Sequence, residues 1–319
     1  MKELTRSECA RWLLERDRFL ILTHRKPDGD TVGSSSALCQ GLRQLGKQAW
    51  LLENPELTPL LAPLADGLMK ARPEEGDLLV AVDVAADSML PKAFAELKNS
   101  IDLRIDHHGS GREYTPNELV ESDSASCAEL IWELLLDMGV ELTPEIADAI
   151  YVGVSTDTGC FRYANTTAHT FDAAADCLAA GADVFGWNSR IFETNSLGKL
   201  RLQGWVIDHA KFYADGRLAV CALPKAVEED CGVDEDDMSN ISSYLRSVEG
   251  VCMAALLREV DPCNTKVSMR AIPGYNAAAV CEMFEGGGHT GAAGCSIRSN
   301  LEEAEKAITE AMIRWETGE

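Results

Sequence analysis

Four apolar stretches in the first half of the chain each run into a short segment carrying aspartate or histidine. The segments are His24-Arg25-Lys26-Pro27-Asp28-Gly29-Asp30, Asp83, Asp106-His107-His108 and Thr156-Asp157-Thr158-Gly159. Carboxylates and imidazoles are costly to crowd together unless a cation neutralises them. Their recurrence at the ends of apolar runs points to a fold that gathers them around divalent metal. It favours a metal-dependent hydrolase over a binding module.

The apolar stretches read as strands because they are short and continuous. Phe19-Leu20-Ile21-Leu22-Thr23 ends at His24, Leu78 to Val82 ends at Asp83, and Ile101 to Ile105 ends at Asp106, while Ala49-Trp50-Leu51-Leu52 is a further strand. Helical patterns fill the intervals. Thr31 to Leu45 closes at Gly46, Cys127 to Met138 stops at Gly139, and Thr167 to Ala180 closes at Gly181. Another helix opens at Thr143-Pro144-Glu145 and carries Ile146, Ile150 and Val154 on one face. This alternation predicts an α/β fold, a mainly parallel sheet with helices on both faces. Ligands bind beyond the carboxyl ends of such strands. His24, Asp83 and Asp106 all fall there, and Asp157 reaches the same mouth from its helix end.

Residues from Phe185 to Asp208 look helical and less regularly apolar, as a connector would. Strands then recur at 218–223, 251–257 and 265–271, with helices at 276–284 and 301–315. The expected organisation is a first domain over 1–185, a helical linker over 186–208 and a smaller mixed α/β domain over 209–319. The acidic stretch from Glu228 to Asp237 reads as a solvated loop or helix start.

Composition narrows the function. A net charge of -23 with no basic stripe excludes tracking along long duplex nucleic acid. A nucleotide substrate would have to be small, bound by metal and a few local cations. The 11 cysteines are scattered and never spaced as Cys-x-x-Cys, which argues against a disulfide framework or a cysteine zinc site. No apolar run is long enough for a membrane span, and no signal sequence is evident, so a cytoplasmic protein is expected.

Each motif has a bland reading and a chemical one. Asp28-Gly29-Asp30 alone is a common turn; with His24 upstream it offers two carboxylates able to face neighbouring ions. In Asp106-His107-His108 one imidazole can ligate metal while the carboxylate fixes a tautomer, and the other can reach substrate. Asp83 and Asp157 are each weak signals alone. Oxygen and imidazole donors without thiolate suit Mn2+, with Mg2+ or Co2+ as alternatives. Two such ions clamp a phosphodiester and generate a nucleophile near neutral pH. In the second half, Gly286-Gly287-Gly288-His289 lets backbone N–H groups approach an anion, unless it is a plain glycine turn. Ser268-x-Arg270 offers a planar cation for phosphate. His169 and His209 are left as surface or packing residues.

Together these residues resemble the DHH phosphoesterase superfamily, specifically its DHH plus DHHA1 branch. Asp106-His107-His108 looks like the naming triad, His24-x-x-Pro27-Asp28-Gly29-Asp30 with Gly33-Ser34 like the first motif, and Asp83 like the second. Asp157-Thr158-Gly159-x-Phe161-Arg162 with Asn165-Thr166 resembles the fourth, and Gly286-Gly287-Gly288-His289 the DHHA1 signature. Length and domain plan are similar to the bacterial oligoribonuclease and pAp-phosphatase group. The resemblance implies a DHH catalytic domain, a DHHA1 substrate-binding domain and two Mn2+ ions. His24, Asp28 and Asp83 would hold one ion; Asp30, Asp83, His107 and Asp157 would hold the other, with Asp83 bridging. Asp106 would orient His107, and His108 would stand near the scissile phosphate, making Asp83, Asp106 and His108 the catalytic set. Arg270, Gly287, Gly288 and His289 would grip the substrate's far end. Where asparagine often precedes the proline of the first motif, this chain has Lys26. Short RNA, pApA, pAp and cyclic di-AMP are not ranked by the sequence. An inorganic pyrophosphatase and a silent nucleotide-binding regulator are the remaining alternatives, and an exposed apolar helix in either domain would support a homodimer.

Overall fold

The first strand of the sheet core, Phe19–Leu22, is buried at all four positions, and the reason is visible in how its two faces are covered. Phe19 and Ile21 pack with Val80, Val82, Leu103, Ile105 and Leu119 under long helices. Leu20 and Leu22 pack on the opposite side with Leu79, Ala81, Leu90, Phe94 and Ile101. A strand buried on both faces needs no polar alternation, so the apolar runs are continuous.

The computed structural model describes residues 2–109, 114–234, 237–238 and 240–318. The chain divides into two compact units between Thr194 and Asn195. In the first, the elements are β1 Lys2–Glu3, α1 Arg6–Leu14, β2 Phe19–Leu22, α2 Gly29–Gln44, β3 Ala49–Leu52, β4 Met69–Lys70, β5 Leu78–Val82, β6 Ile101–Asp106 and β7 Asn117–Val120, followed by α3 Cys127–Asp137, α4 Pro144–Asp157, α5 Ala168–Ala179 and α6 Val184–Asn188. Its seven-stranded sheet runs β1-β7-β6-β5-β2-β3-β4, and every neighbouring pair is parallel. One face is covered by the α-helices, the other by short 3-10 turns at Asp87–Met89 and Lys92–Phe94. The strands ending near His24, Asp83 and Asp106 are adjacent in the order, which brings their carboxyl ends side by side.

The second unit contains α7 Leu197–Asp208, β8 Lys211–Tyr213, β9 Leu218–Leu223, α8 Lys225–Cys231, α9 Ile241–Arg246, β10 Met253–Asp261, β11 Asn264–Ala271, α10 Ala277–Glu282, β12 Gly287–His289, β13 Ala292–Ile297 and α11 Leu301–Thr317. Its sheet runs β12-β13-β11-β10-β9-β8 and is mixed, with β9 and β10 parallel and the other pairs antiparallel. The unit boundary falls inside the segment 186–208 that the sequence marks as a connector. Leu202 and Val206 of α7 are buried with Ala219, Cys221 and Leu256, so this helix is part of the second core. The glycine run also differs from a turn: Gly287–His289 is an edge strand on β13. Of the acidic stretch 228–237, residues 228–231 end α8, and 235 and 236 lie outside the described residues. No helix among the described residues is long and apolar enough to cross a membrane.

Candidate metal centre

The loop after β2 is shaped by its own side chains. Asp28 is the N-cap of α2, its Oδ1 accepting from the N–H groups of Asp30 and Thr31 at 3.1 Å each. Asp28-Gly29-Asp30 is thus the first turn of a helix. Thr31 Oγ1 donates to the Val82 carbonyl at 2.9 Å, and Asn54 Nδ2 donates to the His24 carbonyl at 3.0 Å, pinning the loop to its neighbours.

Close helix packing carries Asp30 to the other ligands. A Cβ at Gly33 would collide with the Ala149 carbonyl oxygen, and one at Gly153 would strike the Ala128 side chain and come within 3.0 Å of Asp30 Oδ1. Glycine at these positions lets α2, α3 and α4 converge. Both Asp30 oxygens then accept backbone N–H groups at the start of α3, from Cys127 at 2.7 Å and Ala128 at 2.8 Å. That helix end favours a carboxylate.

Two imidazoles are oriented alike. His24 Nδ1 lies 2.8 Å from the Arg25 carbonyl and His107 Nδ1 lies 3.2 Å from the Ser124 carbonyl. A carbonyl can only accept, so each Nδ1 carries a proton and each Nε2 is the nitrogen turned toward the carboxylates. His24 Nε2 faces Asp28 at 3.5 Å and Asp83 Oδ2 at 3.7 Å. His107 Nε2 faces Asp30, Asp83 Oδ1 and Asp157, each at 3.8 Å. The two oxygens of Asp83 therefore address different imidazoles. Its Oδ1 is buried without a hydrogen-bond partner, and the residue has a φ of 59°, a left-handed conformation unusual outside glycine.

The donors of His24, Asp28 and Asp83 lie within 4.8 Å of one another, as do those of Asp30, His107 and Asp157. The electrostatics fit a cation. Burial and then Asp83, Asp157 and Asp28 hold the Asp30 carboxyl well above its ordinary range. Asp83 is raised chiefly by burial, and Asp157 is raised to about 6 by burial, with Asp83 and Asp28 adding to it. Burial opposes a charge on His24, but Asp28 and Asp83 outweigh it and lift the imidazole to about 9. Converging carboxylates and two inward-turned Nε2 atoms form an oxygen and nitrogen set suited to divalent metal.

Asp106 departs from its expected role. Its Oδ1 accepts from the backbone of His107 at 2.7 Å and of His108 at 3.0 Å, and meets His108 Nδ1 at 2.8 Å. Its ring partner is His108, while the Ser124 carbonyl holds the ring of His107; β6 ends at Asp106, and the turn folds His108 back onto it. Asp106, then Asp83, raise His108 to about 11, which favours the protonated ring. The motifs hold no sign of Ser124 or the α3 N-terminus, which act through backbone groups, or of Asn54, whose side chain holds the His24 carbonyl.

In the second unit, Ser268 and Arg270 share one face of β11. Register puts Arg270 beside Ala292, which pairs with His289, and Ser268 beside Gly294, which pairs with Gly287. The expected residues thus form neighbouring rungs with a floor of small residues. Gly288 has a φ of 143°, and a Cβ there would lie 2.5 Å from the Ala292 carbonyl oxygen, so this strand edge requires glycine. Arg270 Nη1 donates to the Met269 carbonyl at 2.9 Å.

Residues 18–154 match the DHH family N-terminal domain, and residues 215–316 match the DHHA1 domain. The chain belongs to the DHH family. Among its relatives is the bifunctional oligoribonuclease and PAP phosphatase NrnA of Thermus thermophilus, 33% identical over 92% of this chain and 88% of that protein. The cyclic-di-AMP phosphodiesterase GdpP of Bacillus subtilis is 28% identical over 93% of this chain, which spans only 48% of that longer protein. Among solved structures, an exopolyphosphatase-related protein from Bacteroides fragilis superposes with a TM-score of 0.89 at 25% identity, covering 97% of this chain and 96% of its own.

Proposed function

We propose that the protein is a metal-dependent phosphoesterase acting on small nucleotides: di- to pentaribonucleotides, pApA and 3'-phosphoadenosine-5'-phosphate. The observation that carries the reading is Asp83, whose Oδ2 faces His24 while its buried Oδ1, 3.8 Å from His107 Nε2 and 3.4 Å from His108 Nδ1, makes no hydrogen bond among the described residues. His24, Asp28 and Asp83 would hold one ion and Asp30, Asp83, His107 and Asp157 a second, with Mn2+ the ion that suits the donors and Mg2+ or Co2+ as substitutes. Bound divalent ions neutralise charge on phosphoryl oxygens and acidify water. The residues do the rest. Carbonyl contacts fix the tautomers of His24 and His107. Asp106 keeps His108 protonated and aimed, ready to donate toward a phosphoryl or leaving oxygen. Ser268, Arg270, Gly287, Gly288 and His289 form the patch that takes a terminal phosphate or nucleotide. Likeness to NrnA supports this substrate class.

Likeness to GdpP favours cyclic di-AMP as the second reading. A panel of pAp, pApA, cyclic di-AMP, inorganic pyrophosphate and di- to pentaribonucleotides with Mn2+ tests both. Turnover of the linear nucleotides, abolished by Asp83→Asn in a folded variant, is expected. Absence of turnover across the panel, or a fully active Asp83→Asn, would overturn the proposal. Alanine at Arg270 or His289 should mainly raise KM.

A further inference from the structure

Arg104, two residues before Asp106 on β6, leaves the strand on the same face as that aspartate. It stands opposite Glu118 in the β6–β7 register and is only 2% exposed. Its Nε and Nη2 lie 3.0 and 2.5 Å from Asp106 Oδ2. Nη1 lies 3.4 Å from Glu118 Oε2, and Nη2 lies 3.5 Å from the His108 carbonyl. Glu118 in turn accepts at Oε1 from the Tyr114 N–H at 3.2 Å and Thr115 Oγ1 at 3.1 Å. One guanidinium thus touches the carboxylate beside the metal centre, the backbone of His108 and the acid that anchors residues 114 and 115.

A buried cation with two carboxylates is often no more stable than an apolar trio of equal volume. Arg104 is a large, fully buried side chain with its guanidinium 5.7 Å from the centroid of the Tyr114 ring, but filling that space does not require a charge. What it supplies is direction. A forked donor fixes the plane of a carboxylate. With Oδ2 engaged by Arg104, Asp106 keeps Oδ1 for His107 N, His108 N and His108 Nδ1.

We propose that Arg104 is a positioning residue for the metal centre: it locks the Asp106 carboxylate in the orientation that aims the ring of His108, and so acts on turnover without touching metal or substrate. This rests on the phosphoesterase reading above. Lysine would keep the charge but lose the fork, so Arg104→Lys separates charge from geometry.

The test compares wild type, Arg104→Lys, Arg104→Met and the double variant Arg104→Met/Glu118→Gln, each full-length with Mn2+ and pApA. The double variant removes the cation and a facing carboxylate charge together. In the methionine variants kcat should fall about 100-fold, with KM and Mn2+ affinity changed less than about twofold, and lysine should recover about tenfold of the loss. The hydrogen-bonded Nδ1 proton of His108, seen by NMR on 15N-histidine-labelled protein, should shift in all three. A folded variant with kcat near wild type, a loss confined to KM or metal affinity, or an unmoved His108 signal would overturn the proposal. If the methionine variants do not fold, Arg104→Lys decides: reduced kcat at an unchanged melting temperature supports it, and wild-type kcat refutes it. Should wild type cleave no nucleotide, the functional reading fails instead, and the His108 signal still judges Arg104.

Discussion

The backbone N–H of Cys127 donates to Asp30 Oδ2 at 2.7 Å, joining the start of α3 to the first turn of α2 across 97 residues. With Ala128 on Oδ1, both oxygens of Asp30 are acceptors. Asparagine would present an NH2 group to one of these N–H donors. Asp30→Asn should therefore cost about 1–3 kcal/mol of stability and weaken metal binding at least tenfold, read by thermal melts and Mn2+ titration.

Gly153 packs between Ala128 and Asp30 with no space for a methyl group. Gly153→Ala should destabilise by about 1–3 kcal/mol through overpacking. It should also lower Mn2+ affinity, because the intruding Cβ presses on Asp30 Oδ1. Gly204→Ala, where the same atom meets open space, is the matched control.

Metal must displace protons from this site. His24 titrates at about 9 and Asp157 at about 6 in the metal-free protein. Below these values the groups are protonated and compete with the ion; above them they ligate. Apparent Mn2+ affinity should rise from pH 5 to pH 9, by about tenfold per unit for each proton released. Calorimetric titration across that range measures it, and a flat profile would contradict the ligand set.

Asp157 also ties stability to pH. Its carboxyl is raised from 3.8 to about 6 in the metal-free fold. The folded state therefore holds its proton more tightly, a contribution present below pH 3.8 and lost as pH climbs through about 6. Metal-free Asp157→Asn should gain on wild type over that interval and melt higher at pH 7. Saturating Mn2+ should reverse the order.

Much of the first unit was legible because its strands are buried on both faces, leaving continuous apolar runs whose ends carry the site residues. The helix signals at Thr143-Pro144 and Gly181 were equally local: Thr143 caps α4 and Pro144 opens it. What stayed hidden depends on tertiary pairing. β7 and β13 are short or interrupted by small residues, and Gly287–His289 becomes a strand only because β13 supplies a partner. Likewise the ring of His107 is oriented by Ser124, whose carbonyl carries no side-chain signature. The placement of Leu202 and Val206 in the second core was obscured by the sparse apolar pattern of α7.

Asp83 holds a φ of 59° at the end of a central strand, a geometry that a glycine adopts without penalty. Asp83→Gly would relieve that backbone and remove the carboxylate shared by the facing imidazoles, so a catalytically idle variant is the expected product. The chain spends stability at the residue with most to lose, and selection for robustness alone would drift toward an inert protein.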